Sequence, residues 1–148
     1  MNDNNHNGGS TAVFVGSFDP FTEGHADIAR RALLLFDHLV IGVGVNPKKE
    51  YMFSTDQRVS LIRKAMADDS RIEVEAYSDL TIDFARRHNA RAIVKGLRNA
   101  DDFVYEMPQA DYNRQHGGIE TVFLPSTPEL RNVSSTAVRQ AINNRKSE

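Results

Sequence analysis

The sequence predicts an α/β protein, a doubly wound five-stranded parallel sheet in a single domain. Three observations carry that reading. Short apolar runs rich in valine and isoleucine alternate five times with longer amphipathic segments. The runs are nearly continuous in apolar residues, as strands covered on both faces are. The polar residues that stand out fall just after the runs, at the carboxyl edge where such sheets bind ligands.

Composition agrees. A length of 148 residues suits one domain with one substantial core, and 40% hydrophobic with 26% charged residues is ordinary for a globular chain. A net charge of -2 argues against a nucleic-acid or membrane-surface partner. The absence of cysteine excludes disulfides and thiolate metal sites and is compatible with a reducing cytoplasm. No apolar run approaches the ~20 residues that span a bilayer. The start, M-N-D-N-N-H-N-G-G-S, lacks the basic and apolar stretches of a signal peptide. The expected organisation is therefore a polar tail over residues 1–10, a domain over 11–143 and a solvated tail over 144–148.

The first strand is Thr11 to Val15, and Gly16 ends it. Asp19-Pro20 is a turn signal, because proline fixes its own φ and displaces its predecessor from the α region. Thr22 caps a helix reaching about Phe36, with Ile28, Ala29, Ala32, Leu33 and Phe36 on one face and His25 in the first turn. The second strand is His38 to Val45, followed by the polar loop N-P-K-K-E. S-T-D-Q at Ser54 is a capping box opening a helix to about Ala67. Arg71 to Ala76 is the third strand, and Asp79 is placed to cap a helix to about His88. The fourth strand, Arg91 to Val94, runs into Lys95-Gly96-Leu97-Arg98. A helix from about Ala100 to Gln115 follows, in which Pro108 predicts a kink or a break into two pieces. Gly117-Gly118 ends it, Ile119 to Leu124 is the fifth strand, and Asn132 or Ser134 caps a last helix to about Asn143.

The residues at the carboxyl edge are nearly all donors or cations: Ser17 and His25, then Lys49, Asp79 and Thr81, Lys95 and Arg98, and a hydroxyl-rich helix start, V-S-S-T-A-V-R. With strand, glycine turn and helix N-terminus at its first station, such a set fits phosphates and the stabilisation of charge on transferring phosphoryl groups. Neither the P-loop nor G-x-G-x-x-G is present, which disfavours an ordinary ATPase or a dinucleotide dehydrogenase. His6, His38, His88 and His116 lack metal-ligand spacing, so no protein metal site is expected. Asp101-Asp102 reads as charge compensation at a helix start.

G-S-F-D-P-F-T-E-G-H resembles the T/H-x-G-H signature of the nucleotidyltransferase superfamily, in the form typical of phosphopantetheine adenylyltransferases. The resemblance continues through N-P-K-K-E-Y-M-F, Y-S-D-L-T, K-G-L-R-N-A-D-D-F-V-Y-E-M-P-Q-A-D-Y-N-R and V-S-S-T-A-V-R, in order, over nearly the whole chain. It implies a Rossmann-like nucleotidyltransferase fold and transfer of an adenylyl group from ATP, with Mg²⁺, to 4'-phosphopantetheine, giving 3'-dephospho-CoA and pyrophosphate. It further implies a cytoplasmic homohexamer, with CoA as a feedback ligand.

Carried over by position, the resemblance makes His25, Lys49 and Arg98 catalytic. His25 would donate to the α-phosphate, and Lys49 would hold the attacking phosphate. Ser17, Lys95, Thr81 and Asn113 would bind the acceptor with Lys49. Ser17, Phe18, Gly96, Leu97 and Glu106 would meet ATP with His25 and Arg98. Leu130, Arg131, Asn132 and Val133 through Ser134, Ser135 and Thr136 would close over the nucleotide. Lys95 stands where the family has arginine, keeping the charge but not the bidentate fork. Leu130 stands near a position that is often aromatic. A nucleotidyltransferase for another acceptor, such as nicotinate mononucleotide, and a non-catalytic nucleotide-binding module are the alternatives. T-E-G-H and the segments Y-S-D-L and Y-E-M favour pantetheine, and intact His25, Lys49 and Arg98 favour catalysis.

Overall fold

The computed structural model describes residues 9–147, so residues 1–8 of the expected tail, and residue 148, lie outside the described residues. Five parallel strands form one sheet in the order β3-β2-β1-β4-β5. They are β1 (Thr11–Gly16), β2 (His38–Gly44), β3 (Ile72–Tyr77), β4 (Ala92–Leu97) and β5 (Glu120–Pro125). The helices are α1 (Glu23–Ala32), α2 (Thr55–Ala65), α3 (Thr81–Arg87), α4 (Ala100–Gly117) and α5 (Ser135–Ser147). The order reverses between β1 and β4, and that reversal opens a crevice at their carboxyl ends.

β1 is the middle strand, with Val13 opposite Val40 on one side and Ile93 on the other. Its apolar run resolves into two faces with the period of a strand. Ala12 and Phe14 join the core under α1 and α2, with Ala29, Ile41, Ile62 and Val94. Val13 and Val15 join a second core with Ile82 and Phe84 of α3, Ile93 and Ile119. A sheet buried on both faces accounts for strands without polar alternation.

Four local expectations are corrected. α1 ends at Ala32, and the chain turns through Leu33 rather than staying helical to Phe36. Asp79 caps nothing: Leu80 occupies the N-cap of α3 without a side-chain bond, and Asp79 instead receives Arg87. Of the kink or break expected at Pro108, the break does not occur: α4 is one continuous helix closed by Gly118 at φ 64. The proline's missing N–H removes one bond, and the flanking turns hold the helix together. α5 continues to Ser147, past the expected end near Asn143, and a 3₁₀ turn at Pro128–Leu130 that the sequence reading omits precedes it.

Gly96 connects packing to the crevice. A Cβ there would lie 2.9 Å from Ile28 Cγ1, and Ile28 is one turn beyond His25 on α1. The missing side chain lets α1 sit close on β4. Gly96→Ala is therefore expected to destabilise by about 1–3 kcal/mol through overpacking, and to lower turnover by shifting α1. Thermal unfolding and steady-state assay of the variant check both effects.

Candidate active site

The crevice receives one loop from each side of the reversal. β1 delivers Gly16-Ser17-Phe18-Asp19 into the start of α1. Phe18 is buried and takes φ 49, a left-handed backbone that a bulky residue adopts only under constraint. The constraint is visible. The Phe18 ring packs edge-on against Phe14 and Phe21, and the Asp19 carboxylate accepts backbone N–H bonds from Met52 at 2.8 Å and Phe53 at 2.9 Å. Asp19, in sequence only a turn residue, thus ties the β1–α1 loop to the segment entering α2.

His25 sits at N3 of α1 inside this frame. Its backbone N–H donates to Thr22 Oγ1 at 3.3 Å, and its Nδ1 accepts from the Thr22 backbone N–H at 3.0 Å, completing a capping box with histidine in the place of Glu or Gln. An Nδ1 that accepts carries no proton, so the neutral ring holds its proton on Nε2. Phe18 meets the ring edge-on at 5.0 Å and Phe21 stacks on it at 5.5 Å. Burial, followed by the charges of Arg98 and Lys95, pushes the His25 pKa down to about 4. His25 is a neutral, fixed N–H donor at pH 7.

The cations arrive from other elements. Lys49 Nζ donates to Ser17 Oγ at 3.1 Å. Lys95 Nζ reaches the Val15 carbonyl at 3.3 Å and Glu106 at 3.4 Å. Arg98 holds Asp102 through Nε and Nη2, both at 3.1 Å, so Asp102 positions Arg98 as well as lying in the first turn of α4. The start of α5 leans on the β1–α1 loop: Ser135 Oγ donates to the Pro20 carbonyl at 2.7 Å, and Arg139 to the Asp19 carbonyl at 2.8 Å. Ser134 is the residue that caps α5, its Oγ accepting from Ala137 N–H at 3.1 Å.

These side chains enclose two cavities. One, of about 380 Å³, has His25, Gly96, Arg98, Ser134, Ser135 and Thr136 in its wall, with Phe18, Val133 and Asp102. The other, of about 660 Å³, has Lys49, Tyr51, Tyr77, Thr81 and Asn113 in its wall. Both are bounded by Val15, Gly16, Ser17, Lys95, Tyr105 and Glu106, so they meet where β1 and β4 end. Asn113 is buried and takes a bond from Gln109 at 3.3 Å, and Thr81 pairs its hydroxyl with that of Tyr77 at 3.0 Å. Leu97, Leu130, Arg131 and Asn132 stand outside both walls; Leu97 accepts Ser126 N–H, and Leu130 accepts Val133 N–H within the turn before α5.

Several contributors escaped the sequence reading. Asp19, Tyr51, Arg58 and Arg139 act on backbone carbonyls or amides across the fold, and Asp102, read in sequence only as charge at a helix start, holds Arg98 one turn away. Among the described residues, no three of His, Cys, Asp or Glu gather as a metal cage. Asp102 and Glu106, in the wall, are engaged by Arg98 and Lys95.

Residues 13–141 match the model of the cytidylyltransferase-like family. The chain is 50% identical over 131 residues to the phosphopantetheine adenylyltransferase of Phocaeicola vulgatus, covering 88% of this chain and 87% of that one. It is 49% identical over 130 residues to the phosphopantetheine adenylyltransferase of Kocuria rhizophila, covering 87% and 83%. Among solved structures, a bifunctional NMN adenylyltransferase/ADP ribose pyrophosphatase from Francisella tularensis, complexed with AMP and Mn ion, shares the fold with a TM-score of 0.65 at 21% identity. That match covers 92% of this chain and 42% of the longer Francisella chain.

Proposed function

Because the chain belongs to the phosphopantetheine adenylyltransferases, within the cytidylyltransferase-like family, we propose that it transfers the adenylyl group of ATP to 4'-phosphopantetheine in coenzyme A synthesis. The observation that carries this reading is the meeting of two cavities at Ser17 and Lys95. Two phosphate-bearing substrates entering from opposite lobes bring their phosphates together there.

ATP occupies the lobe of His25, Arg98 and the α5 start. Its triphosphate faces cations and the N-terminus of α5. The acceptor occupies the lobe of Lys49, Thr81 and Asn113, with its phosphate on Ser17 and Lys49. Lys49 lowers the repulsion between that phosphate and the triphosphate. An acceptor phosphate oxygen attacks the α-phosphorus. The new P–O bond gives 3'-dephospho-CoA, and the bond to the bridging oxygen breaks, so the electron pair leaves with pyrophosphate. His25 Nε2–H donates to a non-bridging α-phosphate oxygen as charge builds on it. Being neutral and held by Thr22, His25 neither gains nor loses a proton in the step. Mg²⁺ arrives on the triphosphate as part of the substrate, because the acidic side chains near it are already paired.

The same reading makes the enzyme a cytoplasmic homohexamer with CoA as a feedback ligand. Leu34, 83% exposed after α1, and Val104, 69% exposed on α4, are large apolar side chains that self-association would cover. The reaction is tested by pyrophosphate release with ATP, Mg²⁺ and 4'-phosphopantetheine. Release that depends on the acceptor supports it. Release with nicotinate mononucleotide and none with 4'-phosphopantetheine would move the assignment to the other acceptor.

A further inference from the structure

Arg58 is 1% exposed and is the largest of the fully buried side chains. Buried arginines normally hold carboxylates, yet among the described residues this one forms no ion pair with an acid, and its Nε has no hydrogen-bond partner. Its bonds go to the main chain instead. Nη1 donates to the Ser17 carbonyl at 2.7 Å and to the Gly44 carbonyl at 3.0 Å, while Nη2 reaches Thr55 Oγ1 at 3.3 Å. One nitrogen thus joins the loop leaving β1 to the end of β2, the two neighbouring strands that carry Ser17 and Lys49.

The guanidinium also lies over the Tyr51 ring, 3.9 Å from its centroid. The Tyr51 hydroxyl accepts the Asn46 backbone N–H at 2.9 Å. Asn46 in turn organises the loop that carries Lys49, its carbonyl accepting Lys49 N–H and its side chain accepting Lys48 N–H, both at 3.0 Å. Arg58 therefore grips both supports of the Ser17–Lys49 pair, one directly and one through Tyr51. Its link to the nucleotide lobe is less direct: the Ser17 carbonyl leads on to Phe18, which meets the His25 ring, and no bond from Arg58 goes to His25, Ser134 or Thr136. We propose that Arg58 is a positioning residue for the acceptor phosphate, fixing the distance between Ser17 and Lys49 without touching the substrate.

This inference rests on the acceptor assignment above, and its test separates the two. Wild-type protein is titrated calorimetrically with 4'-phosphopantetheine and, separately, with a non-hydrolysable ATP analogue. A wild type that binds no phosphopantetheine overturns the acceptor assignment itself. With binding established, Arg58→Lys, which keeps the charge and loses the planar fork, is expected to weaken phosphopantetheine about tenfold in Kd and KM. Its affinity for the ATP analogue should stay within about twofold. Arg58→Met should be worse for the acceptor than Arg58→Lys. Tyr51→Phe keeps the stack and frees Asn46 N–H, and should weaken the acceptor about threefold. A merely structural arginine would lower both affinities together, so parallel loss overturns the proposal. If Arg58→Met does not fold, unchanged acceptor affinity in Arg58→Lys and Tyr51→Phe overturns it equally.

Discussion

Replacing His25 by alanine is expected to lower kcat by about 10²- to 10³-fold while changing ATP affinity only a few-fold, the loss seen when one donor to a developing oxyanion is removed. The ring is held on one side by the Thr22 N–H and boxed by Phe18 and Phe21, so its only free polar atom, Nε2, is aimed before substrate arrives. A donor arranged in advance acts mainly in the transition state. Measured kcat and a separate ATP titration distinguish this from simple binding, which would lose both equally.

The depressed His25 pKa carries its own pH signature. In the unfolded chain the ring takes a proton near pH 6.5, whereas in the folded protein it does so near 4. Between those values the unfolded chain binds more protons. The contribution of His25 to stability is therefore fully retained above about pH 6.5, falls by up to about 1.4 kcal/mol for each pH unit below it, and levels off below about pH 4. His25→Ala should lose that component of the acid sensitivity, read from denaturant unfolding of the ligand-free protein at pH 7 and pH 5. In the wild type, kcat/KM should show no limb from His25 between about pH 5.5 and 9, because the donor is neutral throughout.

Lys49→Ala is expected to lower kcat/KM for phosphopantetheine by about 10²-fold or more, with ATP affinity largely kept. The amine sits 3.1 Å from Ser17 Oγ at the junction of the lobes, where two polyanions must approach. Removing it leaves their repulsion uncompensated in a partly enclosed site. An equal loss of ATP affinity would place Lys49 on the nucleotide instead.

The element order, the parallel sheet and its carboxyl edge were all legible in the sequence, because runs such as Val13-Phe14-Val15 and Leu39-Val40-Ile41 have only one placement that buries them. Caps written as Ser54-Thr55-Asp56-Gln57 were legible for the same local reason. Choices among competing partners were not. Asp79 could cap α3 or receive Arg87, and the tertiary fold selected Arg87. His25, Lys49, Arg98 and the α5 hydroxyls were found as separate stations, and two lobes sharing one wall is a relation among them that no spacing encodes. Arg58 was the least legible. A charged residue in a Gln-Arg-Val-Ser segment reads as a solvated helix face, and only packing against the β1 loop puts it inside.

The walls of the nucleotide lobe differ in stiffness. One is the end of the sheet's middle strand, paired on both sides. The other is α5, which contributes no buried residue and meets the β1–α1 loop through single hydrogen bonds from Ser135 and Arg139. Local opening follows the weaker attachment. On the proposed assignment, a small excursion of the last helix would admit a nucleotide and release pyrophosphate, while His25, Lys49 and Lys95 stay held by the core.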